Sequence, residues 1–272
     1  MRSARFCLPI VLLCALAACD SAEPGPDDPS ALTVVSTNVE ADGVLYGNAL
    51  RVQLSAPLDT ASLAAAHIET ISTLSVIDGP DYVPQTIERP LAIWKVRYAE
   101  AVTLNGEPAT FWYDPASASV LMLDEQTDYG QPPYTPFSSG TNVVEFTTAV
   151  RSTEGEALAA PVAVSFELRE LTPGGRLAAL SPNPVFGVTA YSRTYDERIA
   201  RFVGLPETAT IVIQDPLGET VTLEKDDQNS TLDWATPLDR TGLFSYEVLQ
   251  EGEAFARGIA VLAAEAYRPD AP

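Results

Sequence analysis

One histidine, His67, serves the whole 272-residue chain. A single imidazole leaves little material for the acid–base and metal chemistry that histidine usually supplies. Cysteine is equally scarce. Cys7, Cys14 and Cys19 all fall near the start, so the rest of the chain has no disulfide, thiol nucleophile or thiolate metal site. Lys95 and Lys225 are the only lysines, and 16 basic residues face 37 acidic ones for a formal charge of −21. Phosphate binding needs clustered Lys and Arg, so nucleic acid is excluded as a partner. Attraction to anionic lipid headgroups is disfavoured for the same reason. No apolar run reaches the roughly 20 residues a spanning helix requires. From Ala31 onward there is also no long amphipathic helical pattern.

What is present begins with Arg2 and Arg5, followed by an apolar run from Phe6 to Ala18 broken only by Pro9. Its length and flanks are those of a secretory signal. The run closes on Leu16-Ala17-Ala18-Cys19. These four residues resemble the bacterial lipobox, which implies cleavage before Cys19, residues 1–18 as signal peptide, and acyl chains on the Cys19 sulfur. Acyl chains contribute about 0.8 kcal/mol per buried methylene, so two or three anchor stably. Residues 19–30 continue as Asp20-Ser21-Ala22-Glu23-Pro24-Gly25-Pro26-Asp27-Asp28-Pro29, an expected acidic, Pro-rich tether. Acidic residues at this place resemble the surface-export signal of lipoproteins in bacteria with type IX secretion. In other Gram-negative bacteria an aspartate there implies inner-membrane retention. The expected location is the cell envelope, anchored at the outer membrane, with the facing left open between surface and periplasm.

Hydrophobic residues make up 46% of the chain, enough for packed cores. They come in short runs rich in Val, Ile, Thr and aromatics, separated by Gly, Pro and Asp, which predicts an all-β sandwich class. In the first half, expected strands are Thr33–Asn38, Asn48–Ser55, His67–Ile77, Leu91–Tyr98, Ala109–Tyr113, Ser119–Leu123, Thr141–Val150 and Pro161–Glu170. In Leu91–Tyr98 the face carrying Trp94, Val96 and Tyr98 reads as core, and Leu91, Ile93, Lys95 and Arg97 share the other. Asp59 to Ala66 predicts a short helix capped by Asp59 or Thr60. Thr172-Pro-Gly-Gly-Arg176 marks a boundary. Beyond it, strands are expected at Arg198–Gly204, Thr208–Gln214, Glu219–Glu224, Thr231–Trp234, Leu243–Gln250 and Phe255–Leu262. Asp215-Pro216-Leu217-Gly218 predicts a β-turn, and Gln250-Glu251-Gly252-Glu253 a hairpin.

The second half runs Ser181-Pro182-Asn183-Pro184-Val185, Phe202-Val203-Gly204-Leu205-Pro206, Asp215-Pro216-Leu217-Gly218, Leu232-Asp233-Trp234 and Gly242-Leu243-Phe244-Ser245-Tyr246-Glu247-Val248. This order resembles the C-terminal Ig-like sorting domains of type IX secretion, with Phe244 where that family carries a tyrosine. The chain departs from the family in ending with an acidic, Pro-bearing tail, which implies a module kept as a structural β-domain. The first half, from Asn48 through Leu63 and again from Thr141 to Phe166, resembles bacterial Ig-like domains of adhesins and surface layers. The resemblances imply two Ig-like antiparallel β-sandwich domains, over residues 31–171 and 177–264, with 265–272 as tail.

Candidate chemistry is thin. His67 follows three alanines at a helix-to-strand junction and is expected to be satisfied by backbone or solvent rather than act as a base. Asp124, Glu125 and Asp128 could supply oxygens to a weak Ca²⁺ site, as could Asp226, Asp227 and Asn229. Neither set has EF-hand spacing, and solvated loops are the expectation on so acidic a chain. Tyr129, Tyr134 and Phe137 lie in a Pro-rich loop and form the candidate ligand loop for a sugar or peptide. Packing of these rings onto the sandwich is the competing expectation. The sequence therefore points to a non-enzymatic, lipid-anchored envelope protein with an adhesion, binding or scaffolding role and an envelope protein or glycan as partner. The alternatives are type IX cargo and a carboxylate-dependent glycan hydrolase, which needs two acids across a cleft.

Overall fold

Short β-branched and aromatic runs broken by Gly and Pro build strands throughout the computed structural model, which describes residues 31–78, 83–126, 133–175, 178–186, 198–225, 229 and 231–265. The first half contributes β1 (Val34–Thr37), β2 (Val44–Tyr46), β3 (Ala49–Leu54), β4 (Ala65–Asp78), β5 (Val83–Leu104), β6 (Glu107–Asp114), β7 (Ser119–Leu123), β8 (Thr141–Phe146) and β9 (Val162–Arg169). The second contributes β10 (Ala179–Ser181), β11 (Arg198–Val203), β12 (Thr210–Gln214), β13 (Thr220–Glu224), β14 (Leu232–Thr236), β15 (Gly242–Gln250) and β16 (Glu253–Leu262). The helix expected over Asp59–Ala66 is a single 3₁₀ turn, Thr60–Leu63. Asp59 caps it by accepting from the Ala61 amide at 3.0 Å, and Ala64 ends it at φ 48°. The fold is an all-β sandwich.

In the first half one sheet runs β1-β3-β7-β6-β5-β8-β9-β2, with β4 added alongside β5. All its pairings are antiparallel except β2 with β9. β5 carries the sheet from one layer to the other. Lys95 and Val96 lie between β4 and β6, while Thr103 and Leu104 lie between β6 and β8. Register shifts at Val96/Ala99 and Ala99/Thr103 bend the strand between them. Tyr98 sits in that bend at φ 54°. Between the layers lie Leu50, Val52, Val96, Phe111, Tyr113, Val144, Phe146 and Phe166, all nearly solvent-free.

In the second half β10-β11-β14 faces β13-β12-β15-β16. Alternate residues Ile211, Ile213, Phe244, Tyr246 and Val248 pack against Leu180, Ala200, Phe202 and Trp234. Phe202 meets Tyr246 edge-on at 5.1 Å, and Trp234 meets Phe244 edge-on at 5.6 Å. The Asp215 turn and the Gln250 hairpin form as expected. The Gly218 amide reaches the Asp215 carbonyl at 3.0 Å, and Glu251 and Gly252 take φ 53° and 85°.

A third apolar cluster draws on both halves. Ala49, Leu91, Ile93, Trp112, Leu121 and Leu123 from the first meet Leu243, Ile259, Val261, Ala263 and Ala264 from the second. This contact explains why β7 is buried at all five positions: one face lies on the first core and the other on the seam. It also corrects the expectation for β5. Leu91 and Ile93 are buried in the seam, Trp94 and Val96 pack toward the first core, and Tyr98 is 60% exposed. From Leu91 to Val96 the strand therefore buries residues of both faces, and the bend turns the tyrosine outward.

Candidate functional site: the seam and the groove beside it

Several buried polar groups gather along the seam. β5 places Lys95 beside Ile93 and Leu91, an apolar setting that would be costly for an unpaired ammonium. Its Nζ lies 2.6 Å from Glu125 Oε1 and 5.1 Å from the centre of the Trp112 ring. Trp112 Nε1 donates to the same Glu125 carboxylate at 3.0 Å, and the Phe186 ring meets Trp112 at 5.6 Å, tilted by 51°. Charge, indole N–H and ring face are thus satisfied together.

The outer edge of β16 is covered by side-chain amides. Asn48 accepts from the Ile259 amide at 2.8 Å and donates to its carbonyl at 3.2 Å. Asn183 donates to the same carbonyl at 2.8 Å and accepts from the Val261 amide at 3.0 Å. Val185 continues the pairing to Val261 and Ala263, and the Ala263 carbonyl accepts from Ala92 at 2.9 Å. The Asn183 backbone exchanges bonds of 2.8 and 2.9 Å with Gln126. The Ser-Pro-Asn-Pro-Val segment therefore works as a clasp: its amide holds β16 while its backbone holds the first half.

Arg198 anchors the far end. It is fully buried. Its guanidinium donates to Thr236 Oγ1 at 2.6 Å, to Arg240 O at 3.0 Å, and to the carbonyls of Ala264 and Pro237. Burial lowers its pKa to about 10, with Arg89 adding to the effect and Glu265 and Asp239 opposing it. In the middle of β15, burial pushes the Tyr246 phenol well above its ordinary range, the Asp124 charge adds to this, and the Leu180 backbone opposes it.

Beside the seam, a groove of about 600 Å³ runs between β1–β3 and the outer face of β12–β15–β16. Tyr46, Arg51, Gln214, Thr220, Ser245 and Arg257 line it. A second hollow of about 290 Å³ continues it past Asp114 and Pro216, sharing Arg51, Gln214, Ser245 and Ile259. The lining is polar with both charge signs. Arg257 is held by Glu247 at 2.7 Å and Glu40 at 3.7 Å, and Arg51 donates to Ser119 at 3.1 Å. Such a surface offers hydrogen bonds to a polar chain. It holds no nucleophile–base pair among the described residues.

The residues singled out from sequence are dispersed. Phe137 is 7% exposed and packs edge-on against Phe166 at 5.5 Å, whereas Tyr134 is 73% exposed and pairs its backbone with Glu125 at 2.9 Å. Those two rings do not form one surface, and Tyr129 lies outside the described residues. Glu125, offered as a Ca²⁺ ligand, has its carboxylate occupied by Lys95 and Trp112. Asp124 is buried and gives its amide to Asn48 O at 2.7 Å. Asp128, Asp226, Asp227 and Cys19 lie outside the described residues. Among those that are described, no three His, Cys, Asp or Glu side chains gather as a metal-holding group. His67 is exposed on β4, opposite Arg97. The sequence reading missed Lys95, Trp112, Asn48 and Arg198. Lys95 between Trp94 and Val96, in a mostly apolar octet, was the available signal.

No family model matches the chain, and no curated protein does either. Among solved structures, a fragment of native alpha-2-macroglobulin from Escherichia coli matches at 9% identity over 85% of this chain and 71% of that one, with a TM-score of 0.28. The BSP domain of a biofilm-associated protein matches at 13% identity over 83% and 28%, with a TM-score of 0.25. The N-terminal part of the bacterial S-layer protein SbsC matches at 9% identity over 85% and 44%, with a TM-score of 0.25. This chain thus spans less than half of the latter two. No family membership follows from likeness at this level.

Proposed function

We propose that this chain is a non-catalytic protein of the cell envelope, held by acyl chains on Cys19 and presenting two joined β-sandwiches as a binding or scaffolding body. The observation that carries this reading is the seam. Lys95, Glu125, Asn48, Asn183 and Arg198 are each committed to holding strands and sandwiches in place. Buried groups of these types elsewhere form reaction centres; here they form joints. The C-terminal sandwich is on this reading a permanent part of the body rather than a removable export signal. Leu243, Ile259 and Val261 support that, because separating the halves would bare them to water. Burying a Leu or Ile side chain is worth about 1.5–3 kcal/mol. The groove is the surface offered to a partner, and its charge-balanced polar lining suits a neutral glycan or an extended peptide of another envelope protein.

The anchor is tested by growing cells that express the full chain with an alkyne fatty acid and comparing the parent with Cys19→Ser. The expected result is label on the parent alone and release of the variant from sedimented envelopes. A variant that still sediments with envelopes, or a parent without label, overturns the reading.

A further inference from the structure

The carboxylates that line the groove and its continuation are already matched. Glu247 and Glu40 flank Arg257 at 2.7 and 3.7 Å. Asp114 accepts from the Ala116 amide at 3.0 Å and from the Ser117 hydroxyl at 2.6 Å. Asp215 accepts from the Leu217 and Glu219 amides at 2.9 and 2.8 Å and from the Arg240 guanidinium. A cationic ligand would have to displace one of these donors to reach a counter-charge. An anionic ligand would enter among four carboxylates, on a body of formal charge −21.

The backbone is spent as well. β3 pairs with β1 and β7, β12 with β13 and β15, and β15 with β12 and β16. The middle of the groove therefore lies between sheet faces. Extended peptides are captured by adding a strand to a sheet edge, and β3, β12 and β15 have no edge to give. Recognition here falls to side chains.

The side chains at the middle are the ones left over. Arg51, Gln214, Ser245 and Ile259 line both hollows. Gln214 and Ser245 are register partners on β12 and β15, and both are exposed. Among the described residues, neither side chain has a hydrogen-bond partner. Arg51 stands on β3 with its Nε given to Ser119 at 3.1 Å, which leaves the outer N–H groups of its fork for a ligand. Val212 and the Tyr46 ring add apolar surface on the same lining.

On the reading that this groove is the partner surface, we infer that it holds a neutral linear glycan rather than a peptide. Gln214, Ser245 and Arg51 hydrogen-bond the sugar hydroxyls, and Val212 and Tyr46 meet the C–H faces of the rings. A sugar ring combines uncharged hydroxyls with apolar C–H faces, which is the pairing this lining offers. The volume of about 600 Å³ falls within the roughly 300–1,000 Å³ of ligand sites.

Affinity electrophoresis of the full chain in detergent tests this. Native gels would contain a soluble neutral polysaccharide (β-glucan, galactomannan, xyloglucan or dextran) or alginate, a polyuronate. The expected result is retardation by at least one neutral polymer and none by alginate. Gln214→Ala and Ser245→Arg should each raise the polymer concentration for half-retardation about tenfold. Tyr134→Ala, outside the groove, should leave it unchanged. Retardation by alginate alone, or by no polymer, overturns the inference. So does retardation that persists in both groove variants when circular dichroism shows them folded. Placing p-benzoylphenylalanine at Ser245 in intact cells separates the glycan from the groove itself. A protease-sensitive photoadduct there overturns the glycan and keeps the groove as the partner surface, whereas a chain giving neither retardation nor adduct overturns both.

Discussion

Asn48 and Asn183 reach one carbonyl, that of Ile259, from opposite parts of the chain. Replacing Asn183 with alanine leaves the Val261 amide without its acceptor inside a dry interface. Such an orphan costs about 1–3 kcal/mol, and denaturant unfolding of Asn183→Ala should show a loss of that size. Tyr98 presents the opposite case. It holds a left-handed backbone at φ 54° while its ring is 60% exposed. Left-handed geometry costs a non-glycine residue about 1–2 kcal/mol, so Tyr98→Gly should raise the thermal midpoint. A fall would show that the ring has a packing role. Asp215 gives a pH signature. Desolvation works to raise its carboxyl, but the Glu219 and Leu217 amides and the Arg240 guanidinium outweigh it and hold the pKa below the ordinary 3.8. A depressed carboxyl stabilises the fold above its unfolded pKa, and that stabilisation is lost as pH falls through the folded value. Asp215→Asn should therefore be less stable than the parent at pH 6, and the gap should close below pH 4.

At the level of strands and turns, local pattern was a good guide where the cause is local. β7 spans Ser119–Leu123 as read from sequence, because five residues between turn signals leave no room to shift. The Asp215 turn and the Glu251-Gly252 hairpin follow from residue types suited to their dihedral angles. Glu251 is the weaker member of that pair, since its φ is 53°. Glu251→Gly should stabilise the β15–β16 hairpin by about 0.5–1 kcal/mol, read as a higher midpoint in thermal melts. What local pattern did not disclose depends on distant partners. β5 begins at Val83 rather than Leu91, because Pro84 and Pro90 suppress the signal and the pairing with β4 accommodates both. The burial of Leu91, Ile93 and Lys95 requires Leu243, Ile259 and Val261, far along the chain. β2 has three residues and pairs parallel with β9, too short to display any period. Phe137 turns inward for a related reason: it meets Phe166, a partner its own neighbourhood does not announce.

For the molecule as a whole, 37 acidic residues against 16 basic ones set a repulsion that the fold must withstand. Salt shortens its reach to about 10 Å at 0.1 M. Raising sodium chloride from 10 mM to 500 mM should therefore increase the thermal midpoint of the parent, and an unchanged midpoint would show that the charges are already balanced locally. The seam adds a further expectation. A chain ending at residue 171 should bind a hydrophobic dye that the parent does not, through Leu91, Ile93, Trp112, Leu121 and Leu123. That shared cluster also bears on how such a protein can evolve. Beads on a string are exchanged between genes as cassettes, each bringing its own wetted skin. Neither half here has that freedom. A recombination event that moved one of them to a new host would export an oily facet with it, so the pair is expected to descend together and to change by matched substitutions on its two sides.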